Sequence, residues 1–210
     1  MRRTVLILAT AALYGLSYPP YGAPWVAWVA LVPLLLALRG LTAGRALLLA
    51  WISGLAMAYA ITDFLPEAVA CYYGQGLPFG VLLFVASVSV MCCLSHMLFA
   101  VWYRWPGRTE GLPSPFIVGA AWVVAEFIRG DLEGNPWGTV GYTQTHWLPM
   151  VQIAEWTGVY GVSFVVVATN AALTDAIVRR GDRRSLAGAA LVGLLAVAVF
   201  AYGRGRLAEI

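Results

Sequence analysis

The chain has 210 residues, of which 61% are hydrophobic and 11% charged, with a formal net charge of +3. Its mean hydropathy of +0.79 excludes a soluble globular domain, because too few polar residues remain to cover one. All thirteen cationic residues are arginine, so these residues alone cannot supply a lysine base, a Schiff-base lysine or a phosphate-loop lysine.

Seven apolar segments follow in chain order, 4–18, 23–38, 46–65, 77–103, 114–128, 159–178 and 186–202. Crossing a bilayer core takes about 20 apolar residues. With no water there, each segment must bond its own backbone, so helix is expected throughout. The fold class that follows is an all-α polytopic membrane protein of about seven transmembrane helices, a single transmembrane domain over 1–210. Met1-Arg2-Arg3 ahead of the first segment reads as a signal-peptide start or as a cytoplasmic anchor. The tyrosine and prolines that follow, in place of a small-residue cleavage site, favour the anchor. Pro19-Pro20 divides the first two segments sharply, and these two are short enough to be thin spans or a re-entrant hairpin. Cys71 falls in a short loop, whereas Cys92 and Cys93 sit inside an apolar run, where cysteine behaves as a small hydrophobe. Trp102, Tyr103 and Trp105 end the fourth segment as an aromatic belt would. Residues 146–156 read as a short interfacial amphipathic helix interrupted by Pro149.

Seven crossings predict alternating sides, which the arginines test. With the N-terminus cytoplasmic, Arg2, Arg3, Arg39, Arg45, Arg104, Arg108, Arg179, Arg180, Arg183 and Arg184 fall inside, against Arg129, Arg204 and Arg206 outside. The C-terminus then emerges on the extracytoplasmic face, as does the loop between the fifth and sixth segments.

That loop, Glu126 to Gln144, gathers charge, turn residues and large aromatics. Asn135-Pro136 initiates a turn, and Trp137 and Tyr142 suit the headgroup layer. Glu126 and Arg129 share a helix face and are expected to pair at the end of the fifth span. The loop reads as an interfacial anchor or as a lipid vestibule in which Arg129 faces phosphate while Trp137 and Tyr142 line an apolar slot. Beyond it, Gly158 and Gly161 are placed to admit a neighbouring helix, and Ser163, Thr169 and Asn170 need partners. Ser163 with His96 or His146 also raises an intramembrane serine protease, but Phe164 follows the serine where glycine would be required. The two histidines lack metal-ligand spacing with any cysteine or carboxylate.

Tyr18-Pro19-Pro20-Tyr21-Gly22 with Trp25, Trp28, Leu31 and Pro33 resembles the start of the bacterial apolipoprotein N-acyltransferases. So do Ala121-Trp122-Val-Val-Ala-Glu126-Phe-Ile-Arg129-Gly130, Pro136-Trp137 with Gly141-Tyr142-Thr-Gln144, and Thr157-Gly158-Val-Tyr160-Gly161-Val-Ser163-Phe164 with Asn170. The resemblance implies transfer of an acyl chain from phospholipid to the N-terminal cysteine of a diacylglyceryl lipoprotein. It also implies that the chemistry belongs to a nitrilase-like domain with a Glu-Lys-Cys triad. The chain is therefore expected to be the membrane part without that catalytic domain, inactive by itself, with no catalytic residue, cofactor or metal to carry over. Glu126, Arg129, Trp137, Tyr142, Gln144 and Tyr160 are the expected substrate-side residues. The expected partners are phospholipid and lipoprotein in the bacterial cytoplasmic membrane, with a separately encoded nitrilase-like domain and no nucleic acid. The alternative is a non-enzymatic membrane anchor, for example of a polyprenol-phosphate mannosyltransferase docking on the cytoplasmic face at 104–110 or 179–184.

Overall fold

The computed structural model describes residues 2–104 and 114–209. Trp105, Arg108 and the 104–110 docking stretch beyond Arg104 lie outside the described residues. Every regular element among the described residues is helical. In chain order these are α1 (Arg2–Ser17), a 3-10 turn Pro24–Val26, α2 (Ala27–Ala30), α3 (Val32–Leu38), α4 (Ala43–Ile61), α5 (Leu65–Tyr72), α6 (Leu77–Met91) and α7 (Cys93–Tyr103). They continue with α8 (Ser114–Phe127), a π-helical turn Ile128–Leu132, a 3-10 turn Val140–Gln144, α9 (Leu148–Val151), α10 (Ala154–Val178) and α11 (Arg183–Ala208).

Three of these, α4, α10 and α11, are long and apolar enough to cross a membrane, and α5 with α6 passes jointly but bends by 117°. The bend places Cys71 in a helix rather than in the short loop expected of it. The fourth apolar segment is likewise not continuous, since the helix breaks at Cys92 (φ −127°, ψ −41°) before α7 begins. The second segment divides into the 3-10 turn, α2 and α3. Asn170 of α10 explains how that break is tolerated: its Oδ1 accepts from Leu31 N at 2.8 Å and its Nδ2 donates to Ala27 O at 2.9 Å. A buried side chain thus satisfies backbone groups that a continuous helix would have satisfied itself.

α10 lies at the centre, packed along α8, α11 and the broken second segment. Gly158 does not admit a neighbouring helix. It takes a left-handed φ of +62° and kinks the first turns of α10, and no atom lies within 4 Å of where its Cβ would be. Close approach occurs instead at Gly203, whose missing side chain leaves room for the Pro149 carbonyl, and at Gly119, against Phe164. Pro149 itself opens α9 rather than interrupting a helix. Tyr103 is buried and stacks on Phe99, so it belongs to the core and not to an aromatic belt.

Two charged clusters mark the ends of α10. At its C-terminal end Asp175 Oδ1 lies 3.7 Å from Arg39 Nη1 and 3.9 Å from Arg179 Nε, and Arg3 Nη2 donates to Arg39 O at 3.1 Å. At its start Glu155 Oε2 meets Arg206 Nη2 at 3.2 Å, and Tyr202 donates its hydroxyl to Glu155. Because α10 is kinked at Gly158, its unbroken part from Val159 to Asp175 rises about 24 Å at about 1.5 Å per residue, and the two clusters lie at opposite ends of the kinked helix.

Candidate functional site: a cavity under the inserted loop

Residues 138–144 enter the bundle, with Tyr142 alone of them facing out. Thr139, Val140, Gly141, Thr143 and Gln144 are all buried. Side chains from three parts of the bundle hold their backbone. Tyr14 of α1 donates its hydroxyl to Gly138 O, and Tyr18, just past the end of α1, donates to Thr139 O at 2.6 Å. From α8, Glu126 Oε1 accepts from Val140 N at 2.7 Å and also from Trp122 Nε1 at 2.9 Å. From α10, Ser163 Oγ accepts from Gly141 N at 2.8 Å. Gln144 bridges to the second segment, taking Trp28 Nε1 at 3.1 Å and giving Nε2 to Pro24 O at 2.9 Å. A loop in an apolar bundle needs its peptide groups satisfied by protein, and these side chains take Gly138 O, Thr139 O, Val140 N and Gly141 N.

Between this loop and helices α4, α6 and α7 opens a cavity of about 200 Å³. Met57, Ile61, Leu65, Val88 and Met91 make its walls, while Arg129, His96 and Asn135 sit at its polar end and Trp137 at the loop side. Arg129 is 4% exposed, carried into the bundle by the π-helical turn that follows α8. Its Nη2 donates to Thr139 Oγ1 at 3.4 Å, but its Nε has no hydrogen-bond partner, nor do His96 Nε2 and Glu126 Oε2. A second, water-sized space adjoins the first and shares Arg129, His96 and Gly138 with it, adding Glu126. Buried polar atoms without partners are uncommon, and these three belong to residues that line the two spaces.

Of the six residues expected on the substrate side, the cavity gathers Arg129 and Trp137. Glu126 lies one layer behind and takes its hydrogen bonds from Trp122 and Val140, not from Arg129, because the turn after α8 rotates Arg129 toward Thr139. Gln144 is fully buried as a tie between loop and second segment. Tyr142 is 40% exposed and outside the cavity. Tyr160 donates its hydroxyl to Asp131 and meets Phe127 edge-on, also away from the cavity. The cavity also takes in Tyr14, which sequence reasoning passed over, and His96, Cys92 and Asn135, which it read in other roles. One polar group in an otherwise apolar helix, His96, was the available signal. His96 packs edge-on against Trp122 with Nδ1 at 2.9 Å from Cys92 O, and Ser163 serves the loop, so the two have separate partners and form no protease dyad. No group of His, Cys, Asp or Glu among the described residues is placed to hold a metal ion.

The fold and site together define an all-helical protein with membrane-length apolar helices and an arginine-headed apolar cavity beneath an inserted loop. Residues 10–172 match the sequence profile of the apolipoprotein N-acyltransferase N-terminal domain, and the chain belongs to that family. The apolipoprotein N-acyltransferase of Geobacter metallireducens is 34% identical over 173 residues, covering 82% of this chain and 33% of that protein. That of Gloeobacter violaceus is 29% identical over 206 residues, covering 93% and 37%. That of Ralstonia nicotianae is 38% identical over 126 residues, covering 59% and 22%. The chain spans little more than a third of the length of these relatives at most.

Proposed function

We propose that this chain is the membrane-embedded part of an apolipoprotein N-acyltransferase system, presenting lipid substrate at the cavity beneath the Trp137 loop. The observation that carries this reading is Arg129, a buried guanidinium among the residues lining an otherwise apolar cavity: a cation to meet a phosphate and walls to meet acyl carbon. Acyl transfer itself falls to a nitrilase-like domain, whether in the same polypeptide or another, because the 210 residues here contain no lysine for the triad. The reading includes seven crossings of a bacterial cytoplasmic membrane, with the N-terminus inside and the Trp137 loop outside. The arginine bias supports this orientation, and so does the gathering of Arg3, Arg39 and Arg179 around Asp175 at the end of α10 far from Glu155 and Arg206.

Two measurements test it. A cysteine at position 137, in a background without the three native cysteines, should react with an impermeant maleimide on intact spheroplasts; labelling only after lysis would overturn the orientation. In a system reconstituted with a nitrilase-like catalytic domain, Trp137→Ala should lower acyl transfer to a diacylated lipopeptide while leaving membrane insertion unchanged. The 210 residues alone should transfer no acyl chain, and formation of a thioester on Cys71 would contradict the assignment of chemistry elsewhere.

A further inference from the structure

The end of the bundle far from the inserted loop gathers more positive charge than its described carboxylates meet. Asp175, 4% exposed, stands at the centre. Its Oδ1 lies 3.7 Å from Arg39 Nη1 and 3.9 Å from Arg179 Nε, so one carboxylate is shared between two guanidinium groups. At 3.7 Å the contact with Arg39 is an ion pair and not a hydrogen bond, and Arg39 Nη1 has no hydrogen-bond partner. Arg3 adds a third cation. Its Nη2 donates to Arg39 O at 3.1 Å, a carbonyl without net charge, and no described carboxylate lies within ion-pair distance of it. Asp182, the next carboxylate along the chain, is committed to capping α11, where it accepts from Arg184 N and Ser185 N. The opposite end of α10 is balanced, since Arg206 meets both Glu155 and Glu209. The cluster is also open. Arg3 is exposed and Arg39 keeps 29% of its side chain exposed, while nothing lies within 4 Å of the Cβ position of Gly40 beside it. Apolar side chains flank it on the outward surface, with Val5 and Leu8 exposed on α1 and Ile177 and Val178 on α10.

We propose that Arg3 and Arg39 form a binding site for an acidic phospholipid of the leaflet that this end of the bundle faces. The phosphodiester accepts from the exposed parts of the two guanidinium groups, whose planar forks match phosphate oxygens. Asp175, with Arg179 on its other side, holds Arg39 in place from behind. The acyl chains lie on the exposed aliphatic side chains that flank the cluster, so cations above apolar helix surface meet an anionic head above hydrocarbon tails. A zwitterionic phospholipid fits less well, because its ammonium group is brought toward the same cations. The site lies at the other end of the molecule from Trp137. It depends neither on what occupies the cavity there nor on which face is cytoplasmic.

The test places the full chain in phosphatidylcholine vesicles with trace spin-labelled phosphatidylglycerol or spin-labelled phosphatidylcholine, and reads the share of label immobilised at the protein. Phosphatidylglycerol should be preferred by about fivefold to thirtyfold, the effect of one to two arginines at the headgroup. Arg39→Gln and Arg3→Gln should each lower that preference by about threefold to tenfold. Arg3→Gln, at the exposed start of α1, keeps the test decisive if Arg39→Gln fails to insert. Arg184→Gln removes the same charge from α11, which packs on α8, α9 and α10, and should change the preference by no more than about twofold, as a screened surface charge does. Inorganic phosphate and glycerol-3-phosphate should not displace the labelled lipid. Equal association of the two labelled lipids overturns the proposal. So does an equal loss from Arg184→Gln and from the Arg3 and Arg39 variants, which would reduce the preference to general surface charge. Displacement by either chainless phosphate would make this a site for a free anion and overturn the lipid assignment. Acyl transfer in the reconstituted system bears on the proposed function alone, and lipid preference in these vesicles bears on this site alone.

Discussion

At the scale of single residues, the site depends on where buried polar atoms find partners. Glu126 is the clearest case, because one carboxylate oxygen holds both the Trp122 indole and the Val140 amide. Glu126→Ala leaves two buried donors unmet at about 1–3 kcal/mol each, so a loss of about 2–6 kcal/mol is expected. Glu126→Gln keeps an acceptor oxygen and should lose much less. Thermal unfolding in detergent separates the two variants, and equal midpoints would mean that Val140 is held in some other way. Arg129 and Trp137 could be found from sequence because a cation and a large aromatic stand out in a chain with so few polar residues. Gln144 was noticed for the same reason but given the wrong surroundings, since nothing local tells an exposed loop amide from one reaching Pro24 and Trp28 across more than a hundred residues. His96 was visible as an oddity, but its role needs the neighbouring cavity.

At the scale of elements, hydropathy located the helices and missed their interruptions. The stretch 77–103 reads as one run because Cys92 is itself apolar, and no proline or glycine marks the break there. The stretch 23–38 looks like a span, yet its continuity depends on Asn170, which lies in another helix. Small residues at contacts were legible as a class but not as positions. The pair chosen from spacing, Gly158 and Gly161, meets no other helix, whereas Gly203 faces the Pro149 backbone. Within α11 that difference makes a direct comparison. Gly203→Ala would push a methyl into the Pro149 carbonyl and should cost about 1–3 kcal/mol as overpacking. Gly205→Ala, with open space around it, should stabilise the helix by about 0.5–1 kcal/mol. Opposite shifts in unfolding temperature support the α9–α11 contact, and shifts of the same sign would argue against it.

At the scale of the whole molecule, composition settled the class while long-range hydrogen bonds set the arrangement. The groups that complete α2 and α3 come from residue 170, and those that receive Tyr14 and Tyr18 come from residues 138 and 139. Such pairings leave no local trace, so nothing in the sequence put the loop inside the bundle. A chain ended after Glu133 should still insert its first helices, because their apolar length is intact, but residues 24–38 should exchange amide hydrogens and be cut by protease far faster than in the full chain. Equal protection of that stretch would show that it closes without its later partners. The same separation has a consequence for synthesis. At about 5–20 residues per second, the ribosome reaches Asn170 on the order of ten seconds after Leu31 has left it. During that interval Leu31 N and Ala27 O have no Asn170 to bond them, so the second segment cannot take its final form until the chain has been made as far as α10.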